Sequence, residues 1–187
     1  MKCPWSKTHP LLEEYHDNEW GEPIHDDVRH FEFFTMDLFQ AGLSWLTILK
    51  KRDGFHDAFD NFDFRKIAGY DEKKIQELLS NEKIIRNQMK IRATVHNAQK
   101  FLEIIDEFGS FDKYIWQFTG GKTIHNTYKD QNDLPASTEL SDRMSKDLKK
   151  RGFKFVGTTI IYAYMQAAGM VNDHVTSCYR YAEIMIL

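Results

Sequence analysis

A chain of 187 residues that is 42% hydrophobic and 28% charged can bury a substantial core, which excludes a disordered or fibrous protein. Its formal net charge of −3 excludes a broadly basic nucleic-acid binder, so any such contact must come from local patches. No apolar run approaches the roughly 20 residues that span a bilayer, the N-terminal residues lack the apolar stretch of a signal peptide, and the two cysteines are expected in a reducing cytoplasm.

In chain order, the first dense segment is Tyr15-His16-Asp17-Asn18-Glu19-Trp20-Gly21, which packs aromatic, imidazole and carboxylate groups into seven residues. Residues 27–41 carry Val28, Phe31, Phe34, Met36 and Leu38 at spacings that predict an amphipathic helix entered after Asp26-Asp27. Gly42-Leu43-Ser44 interrupts it, and Trp45 starts a second helix that ends in the basic run Lys50-Lys51-Arg52 before Gly54. Further helices are predicted over 57–62, 63–69, 71–79, 83–108 and 110–118, three of them entered at an Asp or Ser cap. Residues 120–137 are polar, contain Gly-Gly and Pro135, and read as a loop. Helices follow at 137–151 and 158–168, and the apolar tail 181–187 suits docking on the domain or a partner contact. Almost nothing alternates with period two, so the pattern predicts an all-α fold in a single domain spanning 1–187.

Three constellations carry chemistry. His174 and Cys178, four residues apart, would share one helix face about 6 Å apart. Cys3 and His16 could complete a tetrahedral Cys2His2 site with them, tying the two ends of the chain together. A Cys3–Cys178 disulfide and two unrelated buried thiols are the other readings of the same residues. The second constellation is Leu148-Lys149-Lys150-Arg151-Gly152-Phe153-Lys154-Phe155-Val156-Gly157-Thr158-Thr159. Its glycines allow close backbone approach, and the N–H groups that open the second helix favour phosphate. An ordinary helical hairpin with lysines complementing the helix dipole explains the segment equally well. The third pairs Gln40-Ala41-Gly42-Leu43-Ser44-Trp45 and Asp37 with the segment around Trp20. Aromatics around one carboxylate suit a flat or cationic ligand; the alternative places Trp20 and Trp45 in the core and leaves Asp17 and Glu19 as solvated caps.

Taken jointly, these stretches closely resemble the DNA-3-methyladenine glycosylase I family of the helix–hairpin–helix DNA-repair superfamily, from Cys3 to Cys178 and in family order. Val171-Asn172-Asp173-His174 extends the match. The resemblance implies a glycosylase-like helical bundle and a structural Zn2+ held by Cys3, His16, His174 and Cys178. It implies hydrolysis of the N-glycosidic bond of 3-methyladenine in alkylated double-stranded DNA, by a cytoplasmic monomer that flips the base. In that reading Trp45 stacks on the base, Tyr15 bonds near it and Trp20 walls the pocket. Leu43 wedges into the duplex gap, and Gly152, Lys154 and Gly157 hold the backbone beside the lesion.

Two departures qualify the resemblance. Asp37 stands where the family has a glutamate, and the missing methylene withdraws the carboxylate by roughly 1.3–1.5 Å, against a hydrogen-bond window of only about 0.5 Å. Asp37 is the candidate catalytic residue, as an orienter of the base rather than a general base. The column of the superfamily's catalytic aspartate falls at Asn172, with Asp173 displaced by one residue, or about 100° if the segment is helical. Other functions are weighed: a non-catalytic binder of alkylated DNA, a glycosylase with altered adduct preference because of Asp37, and a zinc hydrolase, which four protein ligands disfavour.

Overall fold

The computed structural model describes all residues from Met1 to Leu187. It contains eleven α-helices, four short 3-10 turns and a single two-residue parallel strand pair. The helices are α1 (Pro10–Asn18), α2 (Asp27–Gln40), α3 (Trp45–Leu49), α4 (Arg52–Ala58), α5 (Phe64–Ile67), α6 (Glu72–Ser80), α7 (Gln88–Phe108), α8 (Phe111–Trp116), α9 (Glu139–Lys150), α10 (Thr158–Ala167) and α11 (Tyr179–Ile184). Strand β1 (Ile124–His125) pairs with β2 (Val171–Asn172). The predicted all-α class holds, and no helix is long and apolar enough to cross a membrane.

Helix α2 is the centre of the molecule. The spacing predicted an amphipathic helix, but every residue from 30 to 39 is buried, so the helix is enclosed on all sides. It is packed by α3, α7, α8 and α10. Aromatic rings fill the space between these helices: Phe31 meets Phe101 edge-on at 5.1 Å, Phe34 meets Tyr164 at 5.4 Å, and Phe101 stacks on Phe111 at 3.7 Å. Phe39 is core, as its neighbours imply.

The expected caps at Asp63, Asp71 and Ser110 accept backbone N–H groups of α5, α6 and α8. Other boundaries move for local reasons. Helix α7 starts at Gln88 rather than at 83, because the Asn87 side chain caps it. The basic run after α3 does not close one helix at Gly54. Instead α4 begins at Arg52 and contains Gly54, against which the Lys83 backbone packs. Helix α1 lies in a stretch assigned no element from sequence; it is entered at Pro10, with the His9 ring accepting the Leu11 N–H. The tail docks through α11, where Ile184 is buried, while Met185, Ile186 and Leu187 are exposed.

A Cβ placed on Gly54 would lie 2.5 Å from the Lys83 carbonyl oxygen, and backbone cannot swing aside as a side chain can. Gly54→Ala should therefore cost about 1–3 kcal/mol despite its gain in helix propensity, measured as a shift of the urea midpoint at unchanged slope.

Candidate active site and metal centre

A cavity of about 240 Å³ opens beside α2, lined by Trp5, Tyr15, Trp20, Asp37, Gln40, Trp45, Leu134, Ala163 and Gln166. Four of the predicted site residues, Tyr15, Trp20, Asp37 and Trp45, thus meet in one place. Tyr15 arrives on α1, Trp20 just beyond it, Asp37 from the enclosed α2, and Trp45 as the first residue of α3, whose cap is Ser44. The Tyr15 and Trp45 rings are 5.2 Å apart, and Trp5 meets Trp20 edge-on at 5.0 Å.

Asp37 is only 4% exposed, and its Oδ2 atom has no hydrogen-bond partner in the protein. The Trp45 indole N–H is also buried without an acceptor. Buried polar groups are ordinarily paired, so an orphan acceptor and an orphan donor on one cavity mark where a ligand's polar edge would fit. Burial alone drives the Asp37 carboxyl well above the ordinary carboxylate range. No cation of the protein offsets that loss of solvent, and a cationic ligand in the cavity would.

Glu19 is not the solvated cap considered above. Arg52 bonds it through both terminal guanidinium nitrogens, at 2.6 and 2.8 Å, and Arg29 adds a third bond at 3.0 Å. Burial pushes the Glu19 carboxyl up, but the two arginines outweigh it and hold it below the ordinary range. The same arginines pair with Glu32, buried on α2. This network braces the far side of Tyr15, where Glu19 and Arg52 line a second cleft with that ring.

Leu43 is 40% exposed on a turn where Gly42 adopts φ +78°, a conformation a side chain resists. It lines a smaller cleft that shares Asp37 with the main cavity and continues to Thr159 and Ile160 on α10. Gly152, Lys154 and Gly157 lie on the connection between α9 and α10 and do not line the cavity. Gly152 has φ +90°, and Gly157 caps α10 with open space where a side chain would be.

Cys3, His16, His174 and Cys178 converge, all buried, with their ligand atoms within 4.8 Å of one another. Cys178 Sγ lies 3.4 Å from His16 Nε2 and 3.7 Å from His174 Nδ1, and Cys3 Sγ lies 3.6 Å from His174 Nδ1. The other ring nitrogens are fixed by partners: His16 Nδ1 at 2.8 Å from Asp17 Oδ1, and His174 Nε2 at 2.9 Å from the Trp20 carbonyl oxygen. Imidazoles held this way present one nitrogen each, as metal-binding histidines do. The cysteines are free thiols rather than a disulfide. Hydrogen bonding between them raises Cys3 and lowers Cys178, which favours a thiolate at the cluster.

Asn172 and Asp173 are not on a helix: Asn172 ends β2, so the expected 100° offset gives way to the alternation of an extended chain. Asp173 is saturated by the Tyr162 hydroxyl at 2.5 Å, the Gln166 amide at 2.7 Å and the Asn126 amide at 2.7 Å. It therefore orients Gln166 at the cavity wall. Trp5, Leu134 and Gln166 were not singled out from sequence. Only Gln166 left a signal, as the sole amide within the apolar helix α10.

The Asp37 shift fixes the sign of a pH effect. A buried carboxyl with a raised native pKa destabilises the fold once ionised, so stability falls as pH rises from the unfolded value, about 3.9, through the native one. Asp37→Asn should remove that loss. Urea denaturation is expected to show the variant more stable than the parent at neutral pH, with the gap closing below pH about 4.

Comparison with known proteins gives one consistent result. A profile of the methyladenine glycosylase family matches residues 5–181. DNA-3-methyladenine glycosylase 1 of Escherichia coli strain K12 is 43% identical over 180 residues, covering 96% of each chain. Among solved structures, a 3-methyladenine DNA glycosylase I is 44% identical with a TM-score of 0.91, covering 96% of this chain and 98% of its own. A Staphylococcus aureus 3-methyladenine DNA glycosylase I, described for its recognition of 3-methyladenine, is 34% identical with a TM-score of 0.92, covering 95% of each chain. With that match and the cavity behind it, this chain belongs to the methyladenine glycosylase family.

Proposed function

We propose that this protein is a DNA-3-methyladenine glycosylase, a hydrolase that releases 3-methyladenine from alkylated double-stranded DNA as the first step of base excision repair. The observation that carries the reading is Asp37, a buried carboxyl with an unpartnered oxygen on a cavity walled by three tryptophans and a tyrosine. Methylation at N3 places a positive charge on the purine while it is still joined to the sugar. Such a base stacks favourably on Trp45 and supplies the charge that Asp37 lacks.

The cation is already a good leaving group. On cleavage the C1′–N9 electron pair returns to the ring, which departs as neutral 3-methyladenine. Water adds its oxygen to C1′, and its proton passes to solvent. The protein's work is extraction, selection and orientation. Flipping costs a few kcal/mol and least for damaged bases. Tyr15 and Trp20 enclose the base, Asp37 orients it, and Leu43 fills the gap in the duplex. Residues 145–168 form the helix–hairpin–helix element, with Gly152, Lys154 and Gly157 against the backbone. The whole chain acts as one domain, in the cytoplasm and as a monomer.

The metal cluster takes a structural Zn2+. Sulfur and nitrogen bound tetrahedrally to zinc stand about 3.5 Å apart, and the separations of 3.4, 3.6 and 3.7 Å fit that spacing. Four protein ligands close the coordination sphere, so the ion supplies rigidity rather than a bound nucleophile. His16 follows Tyr15 directly and His174 holds the Trp20 carbonyl, so the cluster fixes two walls of the cavity.

Four experiments test this reading. Incubation with methylated DNA should yield free 3-methyladenine; tight binding without release would leave only a damage binder. Asp37→Glu should release the base at least as fast as the parent, and a clear loss would show a pocket rebuilt around aspartate. Metal analysis should find one zinc per chain, whose chelation lowers the melting temperature. Lys154→Ala should weaken binding to all sequences alike and reduce the salt-dependence slope by about 0.9, one phosphate contact.

A further inference from the structure

Lys90 is a lysine in an unusual place. It lies in the first turn of α7, is only 7% exposed, and forms no bond to a carboxylate. Its ammonium donates instead to two backbone carbonyls, Phe39 O at 2.9 Å and Ala41 O at 2.6 Å. These belong to the C-terminal end of α2, where unsatisfied carbonyls carry the negative end of the helix dipole. The next two residues are Gly42 and Leu43, and Leu43 N–H closes the turn onto Gln40 O at 2.6 Å. Thus a single buried cation fixes the turn from which Leu43 projects.

The same helix fixes the other loop placed against DNA. Two turns further along α7, Asn97 brackets the Lys154 peptide, accepting its N–H at 2.8 Å and donating to its carbonyl at 3.0 Å. His96 Nε2 lies 2.8 Å from the Gly152 carbonyl. Phe155, next in the chain, has φ +56°, strain that a loop sustains only when its surroundings hold it. Lys90 and Asn97 are seven residues apart, about two helical turns on one face. Their spacing along a rigid helix sets the distance between the two loops.

We infer that Lys90 is a positioning residue for base extrusion: by clamping the end of α2 to α7, it holds Leu43 in register with the Gly152–Gly157 connection. The inference rests on the glycosylase reading above and on Leu43 as the wedge. Lys90 reaches neither the cavity nor the reacting bond, so it acts through the turn alone. Without the ammonium, two buried carbonyls lose charge-assisted bonds, and the turn gains freedom just where it must resist the duplex.

The test is a double-mutant cycle of parent, Lys90→Met, Leu43→Ala and the double variant, measured as single-turnover release of 3-methyladenine from a methylated duplex and from the same strand alone. Lys90→Met should slow duplex release about tenfold. Release from single strands, where no pair must be broken, should stay near that of the parent, as should binding of free 3-methyladenine read by tryptophan fluorescence. In the Leu43→Ala background the same substitution should have little further effect, because its partner in the cycle is gone. Additive losses, equal losses on duplex and single strand, or an unchanged Lys90→Met rate would overturn the inference. If Lys90→Met melts below the assay temperature, the neutral and shorter Lys90→Gln carries the cycle by the same criteria. A parent protein that releases no base from either substrate removes the glycosylase reading and this inference together, whereas an active parent with an additive cycle removes only the inference.

Discussion

Enclosing α2 on all sides is the constraint from which most of the molecule follows. A helix in the middle of a bundle has no solvent to hydrate whatever polar groups it carries, so each needs a partner or remains unpaired. Glu32 receives two arginines, His30 bonds the Tyr164 hydroxyl and Asp112, and the terminal carbonyls receive Lys90. Asp37 alone keeps an oxygen without a partner. Against so consistent a pattern of satisfaction, the exception locates the site: the polar group the fold leaves uncompensated is the one that faces the cavity.

Three of the cavity's aromatic walls, Trp5, Tyr15 and Trp20, come from the first twenty residues, which have little core of their own to hold them. Helix α1 is only nine residues long and is entered through a 3-10 turn. Its placement depends on what grips its C-terminal end from outside: the Cys/His cluster through His16 and the arginine network through Glu19. Gly21, with φ +84°, passes so near the His174 ring that a Cβ there would fall 3.2 Å from it. Trp20 is thus seated between His174 of the Cys/His cluster and Trp5, edge-on to both. Rigid aromatic walls built this way lose little conformational freedom when a flat base enters.

Much of this was legible in the chain. Asp and Ser caps announced α5, α6 and α8 because a cap is a local interaction between a side chain and the N–H groups a few residues on. The pocket stretches around Trp20 and Trp45 were visible because they concentrate unusual residue types in a few positions. What stayed hidden depends on distant packing. Gly54 looked like a helix terminator, since nothing near it in sequence announces the Lys83 backbone. Lys90 carries no distinguishing signal in the sequence, and only the arrival of the α2 terminus makes it a buried clamp. Glu19 could be read as a solvated cap until Arg52, 33 residues away, closed on it. Asp173 was judged by a helical angle, whereas β2 is extended and its carboxylate is spent on three donors.

The Cys/His cluster also orders events during synthesis. Its outermost members, Cys3 and Cys178, lie far apart in the chain, so the cluster cannot close until the chain has emerged through Cys178. The turn bearing Leu43 and the connection bearing Lys154 are made earlier than Cys178. A nascent chain can therefore form the Leu43 turn and the Lys154 connection while Tyr15 and Trp20 still lack their anchor. The walls at Tyr15 and Trp20 are thus secured last, although they are made before α2.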